Sequence, residues 1–217
     1  MERTERIREI VFKYHSVRSH HSKESAFRSL VRAVLSQRTR DINTDIATEN
    51  LFRHASTPED ILKLGSTKIV RLIEKSGFYR QKSKNIVKLC KILVNDYHSR
   101  VPSSRELLLS LPGVGYKTAD IVLLYAYDVP TIPVDVHVEV VSKRLGLVGK
   151  NAKYEEIRKT LEKMFVEKER LKVNSGMVEF GQTICLTAKP KCYMCPLVDI
   201  CIYEKKNIAP PKGFYQP

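Results

Sequence analysis

Residues 111–120 read "LPGVGYKTAD". Two glycines in a short turn are followed at once by a lysine and an apolar run of helical period. A glycine turn feeding a helix directs backbone N–H groups outward, and that end of a helix attracts anions. The lysine behind such a turn has three readings: a phosphate contact, a solvated charge, or a nucleophile. A nucleotide-binding P-loop is excluded, because it needs a glycine directly before the lysine and another five residues earlier. Here Tyr116 precedes Lys117, and Ser110 stands five residues before Gly115.

The helical period extends to both sides of the turn. Phe27, Leu30, Val31, Val34 and Leu35 share one face, as do Ile86, Leu89, Cys90, Leu93, Val94 and Tyr97. Ile157, Leu161 and Met164 mark a later helix. These stripes predict core. Thr57 is a suitable N-cap with Pro58 at the first helical position, and Gly65 predicts the end of that helix. Ser66 opens the next, which Gly77 is expected to close. Only "VPTIPVDVHV" (129–138) looks strand-like, and Pro130 and Pro133 argue against a central strand. The expectation is a connector that becomes a helix near Asp135, a good N-cap. The fold is read as all-α with roughly nine or ten helices. The tail "APPKGFYQP" (209–217) is expected to be loosely held.

Composition narrows the partners. With 38 Lys and Arg against 24 Asp and Glu the chain carries +14 and a pI near 9.6, so it favours polyanions, of which nucleic acid is the commonest in a cell. The basic residues are spread along the chain, which suggests a folded binding face. At 42% hydrophobic over 217 residues it buries a real core and is no disordered tail. Its apolar runs are too short to span a bilayer. The start "MERTERIREI" has no signal-peptide apolar region, so an intracellular, cytoplasmic protein is expected.

Four of the five cysteines crowd into "CLTAKPKCYMCPLVDIC" as Cys185-x6-Cys192-x2-Cys195-x5-Cys201. A secreted disulfide scaffold would be smaller and would spread its cysteines. Four thiolates this close suit a tetrahedral sulfur site, either zinc or an iron–sulfur cluster, and spacing alone leaves the two level. Cys90 lies in an apolar helical stripe and reads as a small buried hydrophobe.

Together the turn, the aspartate of "VDVHV" eighteen residues after its lysine, and the x6, x2, x5 cysteine pattern resemble endonuclease III. That family belongs to the helix–hairpin–helix superfamily of DNA base-excision glycosylases, and the resemblance covers almost the whole chain. It implies a [4Fe–4S] cluster on Cys185, Cys192, Cys195 and Cys201. It implies a six-helix barrel over residues 20–129 and a second lobe from 1–19 and 130–217, with the active site in the cleft between them. The amides of Gly113, Val114 and Gly115 would hold a DNA phosphate. Lys117 would form a Schiff base with the sugar, its amine kept neutral by burial and neighbouring cations, and Asp135 would stabilise positive charge on the sugar. His137 would hold local structure by a hydrogen bond, and Lys189 and Lys191 would contact phosphates. Side chains that fill the gap left by a flipped base would come from "LSQRTRD" (35–41) and "GFY" (77–79). Family members often read "LSAQ" in the first stretch, so Gln37 departs by one position, Arg38 falls on the usual glutamine, and both are candidates. The family's "GLY" leucine is matched by Phe78, for which core packing is the alternative.

The activity so implied is a bifunctional glycosylase and AP lyase acting, as a monomer, on oxidised pyrimidines in double-stranded DNA. A uracil or thymine mismatch glycosylase would carry a tyrosine at position 117, and here Tyr116 is one place early. A non-catalytic DNA-binding module and a zinc-containing regulator are the readings from other classes.

Overall fold

The computed structural model describes residues 3–15 and 24–211. The expected boundary at residues 19–20 and most of the expected loose tail lie outside the described residues. Among those described there are ten α-helices, two 3₁₀ turns and no strand. They divide into two compact units, His21–Val129 and Met1–His20 with Pro130–Pro217.

The first unit holds α2 (Ala26–Ser36), α3 (Asp41–Phe52), α4 (Pro58–Leu72), α5 (Tyr79–Tyr97), α6 (Arg105–Leu109) and α7 (Tyr116–Ala126). Its core is the pair of stripes read from the sequence: Leu30, Val34, Leu35, Ile86, Leu89 and Leu93 are fully buried. Cys90 joins them, and burial pushes its thiol up to about 12, as an inert core cysteine requires. Ser25 caps α2 by accepting the Arg28 N–H at 3.2 Å. Thr57 and Asp60 form a reciprocal capping box ahead of Pro58. Gly65 breaks the helix as expected, but with φ at 74° it makes a kink between two helical runs. Gly77 does not close the second run, which ends at Leu72. A Cβ on Gly77 would lie 2.8 Å from the Arg38 carbonyl oxygen, so glycine serves a close approach of two loops there.

The second unit holds α1 (Arg3–Lys13), α8 (Val136–Arg144), α9 (Tyr154–Met164) and α10 (Arg170–Thr183), with the cysteine loop following α10. Its core includes Ile7, Val11, Val138, Val141, Ile157, Leu161, Met177 and Phe180. Two glycines let α10 approach its neighbours. A Cβ on Gly176 would collide with the Val11 carbonyl oxygen, and one on Gly181 would lie 2.7 Å from the His137 Cβ. The proline-rich connector has no regular secondary structure and is satisfied from outside. Asn174 donates to the Pro133 carbonyl at 2.7 Å, the Tyr154 hydroxyl accepts the Val134 N–H at 3.2 Å, and Arg170 donates to the Pro130 carbonyl. The expected helix then starts directly after Asp135.

Candidate active site and cysteine loop

The turn between α6 and α7 is a helical hairpin. Gly113 takes φ +81°, Val114 is buried, and Gly115 is the N-cap of α7 with extended backbone (φ −107°, ψ −179°). No side chain caps α7. One expected donor is already used, because the Val114 N–H donates to the Leu111 carbonyl at 3.1 Å. The amides of Gly113 and Gly115 take no partner among the described residues and point the turn at an anion. Lys117 follows in the first turn of α7 and is exposed. The burial expected around its amine is absent, because Tyr116 and Lys117 face outward while Thr118, Ala119 and Asp120 turn into the core. Beneath the hairpin lies an ion pair that the sequence reading missed. Arg105 grips the fully buried Asp120 with two bonds of 2.7 and 3.1 Å, and its guanidinium lies 5.1 Å from the Tyr116 ring centre.

The two loops with candidate gap-filling side chains meet beside this hairpin. Gln37 donates to the Gly113 carbonyl at 2.7 Å and to the Thr118 hydroxyl at 3.1 Å, so it is committed to the hairpin. Arg38 is exposed with φ +50°. Phe78 is 63% exposed with φ +57°, which removes the core-packing alternative. The Arg38 guanidinium sits 5.6 Å from the Phe78 ring centre. Sequence reasoning also missed Lys82, which is buried under both loops, with burial lowering its amine to about 8. A signal existed: position 82 falls on the same face of α5 as Ile86, Leu89 and Leu93.

In the second unit, Asp135 is the N-cap of α8. Its Oδ1 accepts both the His137 N–H at 2.9 Å and the Val138 N–H at 2.8 Å. Oδ2 takes no partner among the described residues, so the carboxylate caps the helix with one oxygen and presents the other. The hydrogen bond expected of His137 comes from its backbone; its ring Nδ1 is buried without a partner. The ring is held instead by the close approach of α10 at Gly181.

The four cysteines of the loop line one pocket together with Arg144, Phe180, Ile184 and Tyr203. Among the described residues no three His, Cys, Asp or Glu side chains are grouped tightly enough for a single metal ion. Four thiols lining one pocket suit a sulfur-held metal site, whether a single ion or a cluster. Burial pushes the Cys185 thiol up and the Cys195 thiol to about 11, with the other cysteines adding to both effects. The surroundings provide N–H groups for sulfur: Leu197 donates to Cys195 Sγ at 3.4 Å and Arg144 to Cys185 Sγ at 3.5 Å. Arg144 also holds the Leu186 and Thr187 carbonyls at 2.7 and 2.8 Å. Lys189 is exposed with φ +52°, and Lys191 is half-buried with its N–H on the Ile184 carbonyl at 2.9 Å.

The chain matches the HhH-GPD superfamily of base excision DNA repair proteins over residues 31–167. Endonuclease III of Thermotoga maritima is 43% identical over 86% of this chain and 87% of its own length. A trapped endonuclease III–DNA covalent intermediate superposes with a TM-score of 0.85 at 34% identity, covering 93% of this chain and 97% of that one. A thermostable thymine-DNA glycosylase gives 0.83 at 25% identity, covering 93% and 96%. The chain belongs to the endonuclease III family.

Proposed function

We propose that this protein is a bifunctional DNA base-excision glycosylase and AP lyase that removes oxidised pyrimidines from double-stranded DNA in the cytoplasm. The observation that carries this is an exposed Lys117 in the first turn of α7, directly behind the open amides of Gly113 and Gly115. Those amides hold a phosphate and position the protein without reading sequence. A damaged base is inaccessible within the stack and is flipped out, while Arg38 and Phe78 fill the gap. Gln37, committed to the hairpin, aligns that loop instead.

Asp135 stabilises positive charge on the sugar through Oδ2, the oxygen its helix does not use. Lys117, after giving up a proton, attacks the anomeric carbon, and the glycosidic bond breaks with its electron pair leaving on the base, which takes up a proton. The nitrogen gives up a proton, its lone pair forms the C=N bond as the bond from the anomeric carbon to the ring oxygen breaks, and that oxygen takes up a proton, leaving an open-chain Schiff base. A proton then leaves the neighbouring sugar carbon, and the 3′ phosphate departs with the bonding pair, which cuts the strand. Cys185, Cys192, Cys195 and Cys201 hold a [4Fe–4S] cluster. A cluster held by these four thiolates would anchor the loop, from which Lys189 and Lys191 would meet phosphates.

Borohydride should trap wild-type protein covalently on duplex DNA carrying an oxidised pyrimidine. Lys117→Gln keeps a side chain of similar reach without the amine, so trapping and strand cleavage should vanish while binding to a non-cleavable abasic analogue survives. Asp135→Asn keeps the cap, since Asn and Asp cap equally well. It should slow base removal by about a hundred- to thousand-fold, the usual effect of losing one charge-stabilising group. Cleavage of DNA already abasic should partly persist. Trapping by Lys117→Gln at the wild-type rate would make another amine the nucleophile. Trapping only on uracil or thymine mismatches would replace the substrate assignment.

A further inference from the structure

Lys82 is a buried charge that the chemistry above leaves unused. It is 4% exposed, on the inner face of α5. Its Nζ donates to the Leu35 carbonyl at 2.6 Å, the Thr39 hydroxyl at 2.8 Å and the Ser76 hydroxyl at 2.9 Å. An ammonium has three N–H groups, and each has found an acceptor. No carboxylate pairs with it among the described residues. A buried lysine without a counter-ion is costly, so its retention calls for a reason other than stability.

The acceptors indicate that reason. Leu35 gives one of the free carbonyls at the end of α2, where a cation is favoured. Thr39 directly follows Arg38, and Ser76 stands two residues before Phe78. The same atoms bond to one another: Ser76 donates to the Leu35 carbonyl at 3.2 Å, and the Gly77 N–H to the Thr39 hydroxyl at 3.0 Å. Gly77 lacks the Cβ that would hold the loops apart. The two residues carried above this node, Arg38 and Phe78, both have left-handed backbone, which persists only where the surroundings over-determine it. They are also the two candidate gap-filling side chains, already in contact.

We propose that Lys82 is a positioning residue for duplex opening, tying the α2–α3 and α4–α5 loops into one rigid wedge that carries Arg38 and Phe78. This rests on the reading of those two side chains as gap fillers. The node is needed while base pairs must be broken and is dispensable where they are already open. Small misplacements of a positioning group cost rate out of proportion to distance, so the effect should be readily measured.

The test compares single-turnover strand cleavage at an abasic site in a fully paired duplex and in the same duplex with a preformed bubble around the site. Lys82→Met keeps the side chain's length and removes its donors. It should lose about tenfold or more on the paired substrate and less than about threefold in the bubble, with affinity for undamaged duplex within about twofold. Phe78→Ala should show the same selectivity. Adding Lys82→Met to Phe78→Ala should then cost less than about threefold, since the two act through one element. If Lys82→Met misfolds, Thr39→Val and Ser76→Ala each remove one acceptor and should reproduce the selective loss in weaker form. Equal losses on both substrates, no loss, or multiplicative losses with Phe78→Ala overturn the role of Lys82 while the wedge stands. A Phe78→Ala variant with no selective loss removes the wedge reading itself, and the Lys82 proposal with it.

Discussion

Gly113 and Gly115 flank the same valine, yet only one of them has a conformation that demands glycine. Gly113 has φ +81°, and a Cβ there would lie 2.7 Å from Asn85 Nδ2; Gly115 is extended and a Cβ would meet nothing within 4 Å. The left-handed region costs an L-residue about 1–2 kcal/mol. Gly113→Ala should therefore lower unfolding free energy by about that much, plus the displacement of Asn85, while Gly115→Ala should change it by less than about 0.5 kcal/mol. Urea titration of both variants checks this, and equal effects would show that the turn relaxes. The loss from Gly115→Ala should appear only in DNA binding. A glycine's identity does not encode the sign of its φ, which is why the sequence could mark the turn but not rank its glycines. The same limit separates Gln37 from Arg38: adjacent polar residues look equivalent until the backbone turns left-handed at the second. Lys82 was hidden differently, because the sequence reading built its α5 stripe from apolar side chains and passed over a charge at the same period.

At the scale of elements, what was legible in the sequence was what local chemistry decides. The stripes of α2 and α5, the Thr57 cap and the start of α8 at Asp135 follow from period and capping alone, and the structure reproduces them. What was not legible depends on partners far along the chain. Gly77 reads as a helix stop, yet it is set by the carbonyl of Arg38, 39 residues earlier in sequence. Arg144, on α8, holds the loop 41 to 43 residues ahead of it. The cysteine loop combines both kinds. Its spacing announced four thiolates and left the metal open, and the structure adds that all four line one pocket. Protein purified without oxygen should hold iron and acid-labile sulfide in equal amounts, about four of each per chain. Cys90→Ser should leave both unchanged, because Cys90 sits in the core of the other unit. Stoichiometric zinc without sulfide would reject the cluster.

At the scale of the whole molecule, the surplus of 38 basic over 24 acidic residues decides how affinity responds to salt. Among the described residues arginine takes most of the ion pairs, including Arg6–Asp199, Arg28–Glu49, Arg32–Asp45, Arg105–Asp120 and Arg158–Glu162. Much of the remaining charge is lysine, a compact hydrated cation that contacts phosphate without reading a base. The open amides of Gly113 and Gly115 are likewise indifferent to sequence. Binding to undamaged duplex should then be driven by release of condensed counterions. If about 5–8 phosphates are neutralised, log affinity should fall against log salt with a slope of about −4.5 to −7, alike for unrelated sequences. Exposed Lys189 offers an internal control. Lys189→Gln should weaken binding uniformly and make the slope shallower by about one if that side chain neutralises one phosphate. An unchanged slope would leave Lys189 in solvent, and a flat response of the wild-type protein would mean that the +14 charge serves something other than DNA.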